Sequence, residues 1–181
     1  MLSRQFLLDF KRATEGKWKT QELNPHIYGF QFQAGTCWNP GLTNTEISMY
    51  QEEVKVVFSD DFREFLTVMN GTDLPTRNIY GNSGEPPCDS VGVYSYPRDV
   101  HIVMSMIANV DANRDRLTET LAGEGFVLSA NGKLMPIFSH RYVVCDCPNG
   151  PSPVLSICDS EDAIVYGHSL QEYLKREFLK S

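Results

Sequence analysis

His140 stands between Ser139 and Arg141 at the head of an apolar run, where an imidazole could titrate near neutral pH and shuttle protons. A shuttle needs an oriented partner, and Asp146 or Cys145 would have to supply one if the protein were a small hydrolase. The chain contains no Gly-x-Ser-x-Gly elbow, His-Glu-x-x-His zinc motif, Walker loop or dinucleotide fingerprint. An isolated histidine more often serves structure or surface than catalysis, so the expectation is no enzyme and no catalytic residue.

Cys145 and Cys147 would point to one face of a strand, with Cys158, His140 or His168 available to complete a tetrahedral zinc shell. Structural zinc sites usually carry two Cys-x-x-Cys pairs, and this spacing is different. Neither a metal nor a cofactor is therefore expected. Five cysteines make an odd count in a chain large enough to stand on its core, which reads as reduced thiols rather than a disulfide framework. Glu52-Glu53, Asp60-Asp61 and the group Asp159, Glu161 and Asp162 could draw a basic partner or hold a cation, although solvated helix starts and loops account for most of them. The Gly81 to Gly84 loop has too few ordered features to cradle a phosphate.

The elements that would position these residues can be read from periodicity and punctuation. Leu2, Phe6, Leu7 and Phe10 behind Ser3 predict a first helix that stops near Gly16. Turn formers dominate the next stretch, with a short strand around Ile27, Phe30 and Phe32. Thr43 and Glu46 have capping-box spacing ahead of Ile47, Tyr50 and Val54. A further helix starts at Ser59, is lined by Phe62, Phe65, Leu66 and Met69, and is expected to end at Asn70-Gly71. From Thr72 to Pro97 the chain is loop-rich, with strand candidates at Ile79-Tyr80 and Val91 to Tyr94, and a functional rim could lie there.

Ile102, Val103, Met106, Ile107 and Val110, followed by Leu117 and Leu121, predict a helical insertion over roughly 98–122. An antiparallel meander follows: Phe126 to Ser129, an Asn131-Gly132 hairpin turn, Leu134 to Phe138, Tyr142 to Cys145 and Val154 to Ile157. Ser169 and Glu172 cap a closing helix with Leu170, Tyr173, Leu174 and Phe178 on its apolar stripe. Helices at the two ends and strands in the middle favour an α+β fold.

At 181 residues, with 41% hydrophobic and 22% charged residues, the chain fits one globular domain, 1–181, and not disorder. Its longest apolar stretches are broken well short of the ~18–20 residues of a membrane span, and charges interrupt the N-terminal segment, so no membrane association and a cytoplasmic location are expected. The net charge of −7 and pI near 5.1 argue against nucleic-acid binding and favour a basic protein partner.

Three segments together add to this reading. The first runs Trp38-Asn39-Pro40-Gly41-Leu42-Thr43 through Glu46-Ile47 and Glu53, and the second Phe58-Ser59-Asp60-Asp61-Phe62 through Phe65-Leu66 and Asn70-Gly71. The third comprises Leu134-Met135-Pro136-Ile137, Ser152-Pro153-Val154 and Ser169-Leu170 to Tyr173-Leu174. In this order, over roughly 32–178, they resemble the SUKH superfamily, which includes bacterial immunity proteins of polymorphic toxin systems and a fungal regulator of cell-wall synthesis. The joint Lys55-Val56-Val57-Phe58 lacks the glycine and proline often found there, and the insertion is longer than usual.

The resemblance implies a central, mainly antiparallel sheet flanked by helices, no enzymatic activity, and a surface that neutralises a cognate toxin by binding it, with a basic toxin domain as the expected partner. Regulation or scaffolding of envelope synthesis is the alternative function. Trp38, Gly41, Glu46, Ile47, Phe62, Phe65, Leu66, Asn70, Gly71, Pro136, Pro153, Val154 and Leu174 carry the likeness and are mostly expected to be structural. Partner contacts belong on loops such as Thr72 to Pro87 and Cys147 to Pro151, with Glu53, Asp73, Glu85 and Asp146 as candidates.

Overall fold

The computed structural model describes residues 2–145 and 151–179. Ser3 caps helix α1 (Arg4–Trp18) by accepting from the Phe6 amide, and Leu7, Phe10, Thr14 and Trp18 form its buried stripe. The helix does not stop near Gly16. It runs on to Trp18, whose ring stacks on Phe32 with centroids 4.3 Å apart. Burying so large a ring outweighs the roughly 0.5–1 kcal/mol that a mid-helix glycine costs.

Strand β1 (Gly29–Phe32) follows, then β2 (Trp38–Pro40) and α2 (Asn44–Val54). Thr43 and Glu46 complete the expected capping box, and Ile47, Tyr50 and Val54 are buried. Lys55 ends α2 in the left-handed conformation at φ 58°, a position where glycine carries no Cβ penalty. Lys55→Gly is therefore expected to raise stability by about 0.5–1 kcal/mol, read as a higher urea midpoint at unchanged slope. A lower midpoint would show that the lysine side chain stabilises this joint more than its backbone strains it.

Helix α3 (Asp60–Val68) buries Phe62, Phe65, Leu66 and Val68. It does not end on a glycine cap at Asn70-Gly71. Met69 is already extended, and the chain passes directly into β3 (Met69–Thr72), which pairs antiparallel with β2. Asn70 exchanges two side-chain hydrogen bonds with Tyr96, accepting from its amide at 2.9 Å and donating to its carbonyl at 2.7 Å. Gly71 has φ +70°, and a Cβ there would lie 2.6 Å from the Val93 carbonyl oxygen. Long-range packing thus assigns this pair to a strand, where local propensity suggested a helix stop.

Strands β4 (Thr76–Ile79) and β5 (Cys88–Ser90) complete a three-stranded antiparallel sheet in the order β1-β4-β5. The expected strand at Val91 to Tyr94 is reduced to a single bridge between Val93 and Phe138. That segment is nonetheless a seam: Thr72 donates to the Val93 carbonyl, and the Tyr94 amide donates to the Ile137 carbonyl. It stitches the β2-β3 pair to the C-terminal sheet.

The insertion forms two helices, α4 (Val100–Ala112) and α5 (Arg114–Gly123), which meet at Asn113. The C-terminal sheet is an antiparallel meander of β6 (Leu134–Phe138), β7 (Arg141–Val144), β8 (Val154–Ile157) and β9 (Ala163–Gly167). Residues 126–129 form no strand, and Asn131-Gly132 makes no hairpin. The tight turn is Ser139-His140 between β6 and β7, with Ser139 at φ 47°. Ser169 caps α6 (Leu170–Leu174), which continues into a π-turn at Lys175–Leu179 that buries Phe178.

The fold is α+β, with six α-helices and three antiparallel sheets among the described residues, but helices and strands interleave instead of segregating to the ends and middle. The main core gathers α1, α2, α3, β6 and α6 around Trp18, Trp38, Phe65 and Phe178. Trp38 also donates its indole N–H to Thr14 Oγ1 at 2.8 Å. A second cluster seats Val110, Leu117 and Leu121 of the insertion on Leu134, Tyr142 and Leu155. No described helix is long and apolar enough to cross a membrane.

Candidate protein-binding surface

The residues carrying the sequence likeness lie mostly inside. Trp38, Ile47, Phe62, Phe65, Leu66, Val154 and Leu174 are at most 3% exposed, and Asn70, Gly71 and Pro136 are also buried. Gly41 allows β2 to lie against the α3 backbone, and Pro153 is half-buried beside β8. Glu46 is exposed and is occupied as a cap. These residues build the scaffold and offer a partner little surface.

The three candidate contact residues that lie among the described residues, Glu53, Asp73 and Glu85, do not converge on one site. Asp73 precedes β4 and Glu85 follows it, at opposite ends of that strand. Asp73 Oδ1 accepts from the Cys37 and Leu74 amides, both at 2.8 Å, so this carboxylate shapes a turn. Glu53 is exposed on α2, where its charge adds to burial in raising the Tyr96 phenol pKa. Asp146 lies outside the described residues, as do Cys147 and the loop through residue 150.

His140 is half-buried in the β6–β7 turn, with Nδ1 3.1 Å from Ser139 Oγ. Burial first, then the neighbouring Arg141 charge, lower its pKa and favour a neutral ring at physiological pH. Among the described residues no group of His, Cys, Asp and Glu is arranged to hold a metal. Cys37, Cys88 and Cys158 are exposed thiols, Cys145 is buried, and none of the four is in a disulfide. The Cys158 thiol is raised above its ordinary pKa by burial and by Asp162, which disfavours the reactive thiolate.

What the structure assembles is a rim on the β1-β4-β5 sheet. Residues 22–28, leading into β1, and 82–89, leading into β5, are exposed throughout. Gln31 on β1 holds the first segment down: its side chain accepts from the Asn24 amide and donates to the Asn24 and Ile27 carbonyls, each at 2.8 Å. The two segments are tied to each other by His26 Nδ1 and Asn82 Oδ1 at 3.2 Å. The Tyr28 and Tyr80 rings add an edge contact with centroids 6.4 Å apart. Arg77 pairs with Asp89 across β4 and β5 at 2.6 Å and fixes the second segment's root.

This held framework displays apolar side chains. Tyr28 is 76% exposed and Ile27 58%, with Leu23 beside them in the same segment. The two exposed segments contain Glu22, Glu85 and Asp89 and neither lysine nor arginine. Beside the rim, a cleft of about 420 Å³ opens between the β3–β4 turn, β5 and the start of α4. Arg98 lines it, clamped by the Asp99 carboxylate at 2.8 Å and by the Thr72 carbonyl at 2.8 Å. Sequence patterning passes over Ile27 and Tyr28 because a short strand would bury such residues; the available signal was their place in a polar stretch between Pro25 and Gly29.

No family model matches the chain, and neither does any curated protein with which it was compared.

Proposed function

We propose that this protein is a non-catalytic binding domain of the cytoplasm whose partner is another protein with a basic surface, and that the rim formed by residues 22–28 and 82–89 is where that partner docks. The observation that carries the reading is Tyr28, 76% exposed yet positioned by Tyr80, on a loop pinned by Gln31. A large ring held in water on a braced loop loses little further freedom on binding, which is the property of an interface anchor. Glu22 and Glu85 around it favour a cationic partner and faster association with it. The likeness to the SUKH superfamily supports a toxin-neutralising role, with the toxin domain as the basic partner.

The test uses a partner co-purified from the native cell and identified, then re-measured as an isolated protein. Tyr28→Ala is expected to weaken binding by about 30-fold or more, the effect of losing a hot-spot aromatic worth ~2 kcal/mol. The same substitution should leave stability within about 0.5 kcal/mol, because the ring packs on little. Equal affinity of the variant and the parent chain would remove the rim from the interface. A partner without a basic surface, or an affinity indifferent to salt, would remove the charge argument.

A further inference from the structure

Tyr28 and Tyr80 meet in the rim as a corner of two rings, with centroids 6.4 Å apart and planes inclined by 67°. An edge contact of this kind sets one ring's positive edge against the other's negative face, so it cannot cover both faces of both rings. Tyr28 is 76% exposed, which leaves a ring face in water, and Tyr80 is half-buried. The corner is braced: Gln31 pins the Tyr28 loop, His26 ties that loop to Asn82, and the Tyr80 hydroxyl lies 3.3 Å from Cys88 Sγ.

The electrostatics of this corner are one-sided. Negative ring faces attract a cation placed within about 6 Å of the centroid. Glu85 stands near enough to act on Tyr80, whose phenol is raised above its ordinary pKa first by its hydrogen bond with Cys88, with the Glu85 charge a smaller cause. Ile27, 58% exposed, adds apolar surface next to Tyr28 in the chain. The protein stacks its own cations on other rings: Arg141 and Arg176 lie 3.9 and 4.1 Å from the centroid of Tyr166, and Lys175 lies 5.4 Å from that of Phe6. No described cation stacks on Tyr28 or Tyr80. Tyr166 is served from within the chain, whereas Tyr28 is open to a cation from outside it.

We propose that the Tyr28–Tyr80 corner receives an arginine side chain of the partner, with the guanidinium stacked on an aromatic face and hydrogen-bonded to Glu85, and the methylene stem lying on Ile27. The inference rests on the reading of the rim as the docking surface and names the residue that this surface recognises. Arginine fits better than lysine, because a planar, weakly hydrated guanidinium stacks on a ring and still directs N–H groups sideways to a carboxylate. An anionic group is disfavoured there, since residues 22–28 and 82–89 carry acidic side chains and neither lysine nor arginine.

The experiment titrates the isotope-labelled full chain with the capped peptide acetyl-Gly-Leu-Arg-Leu-Gly-amide, following amide shifts. Parallel arms replace the arginine by citrulline, its uncharged near-isostere, by lysine and by glutamate. The expected result is saturable shifts centred on Ile27, Tyr28, Tyr80 and Glu85, at a dissociation constant on the order of 1–10 mM for so small a ligand. The lysine peptide should bind about twofold and the citrulline peptide about fivefold more weakly, the size of an exposed cation–π contact. Tyr28→Phe keeps the ring and should hold affinity for the arginine peptide within about twofold. Tyr28→Leu keeps only apolar bulk and should lose about fivefold, and Glu85→Gln about threefold. The proposal is overturned if the arginine and citrulline peptides bind alike, if Tyr28→Leu binds as well as Tyr28→Phe, if the glutamate peptide binds best, or if the rim shows no saturable shifts up to ~30 mM. The two readings fail separately. Partner affinity lost in Tyr28→Ala, with peptides that do not distinguish arginine from citrulline, keeps the rim as the docking surface and removes the arginine; partner affinity unchanged in Tyr28→Ala removes both.

Discussion

Phe65→Ala is expected to destabilise the protein by about 3–5 kcal/mol, a large share of the ~5–15 kcal/mol that holds a typical domain together. Phe65 is 1% exposed, meets Trp38 edge-on with centroids 6.0 Å apart, and stacks on Phe62 at 6.1 Å. Trp38 is in turn anchored to α1 through Thr14, so the ring's removal opens a cavity among side chains that cannot simply collapse into it. Glu64, one step round the helix, is the control. It is half-exposed and 3.6 Å from Arg4, and Glu64→Ala should change stability by only about 0.5 kcal/mol. Urea unfolding of both variants decides the matter. A wild-type midpoint for Phe65→Ala, together with lost partner binding, would place this ring in the interface and not in the core.

The second large effect is expected at Gly41. A Cβ at this position would lie 2.1 Å from the Thr67 carbonyl oxygen and 2.7 Å from the Val68 nitrogen. Both are backbone atoms at the end of α3, so no side-chain rotation relieves the contact. The neighbouring Leu42 amide donates to the Leu66 carbonyl at 2.8 Å, a bond that breaks if the strands and helix separate. Gly41→Ala should therefore cost about 3 kcal/mol, the upper part of the overpacking range. Thermal and urea unfolding would both register it, and a Gly41→Ala protein with unchanged midpoints would mean that β2 and α3 do not approach this closely in solution.

The capped helices were legible because their determinants are local. Thr43 with Glu46, and Ser169 with the Glu172 amide, satisfy helix-end groups across three residues, and the apolar stripes that follow depend only on helical period. The insertion was legible for the same reason, as were β6, β7 and β8 from their runs of apolar residues. Of the candidate site, the loop-rich reading holds for the exposed residues 82–87, but Thr76–Ile79 form β4, and the described acidic side chains Glu53, Asp73 and Glu85 proved to be scattered. Their chemistry can be read from residue type; their convergence cannot.

Three assignments turned on contacts between residues far apart in the chain. Gly16 is passed because Trp18 finds Phe32, Asn70-Gly71 becomes strand because the Val93 to Tyr96 segment approaches it, and the hairpin turn falls at Ser139-His140 because β6 registers with β7 there. The rim follows the same rule. Tyr28 and Tyr80 lie before β1 and after β4, with β2, α2, α3 and β3 between those strands in sequence, and only the β1–β4 pairing brings them together. The sequence by itself thus determined the composition, the caps and the apolar faces, all set by interactions within a few residues. Tertiary structure alone decided which apolar side chains would be left in water and which polar atoms would face a cavity, because burial is a property of the completed packing and not of any one segment.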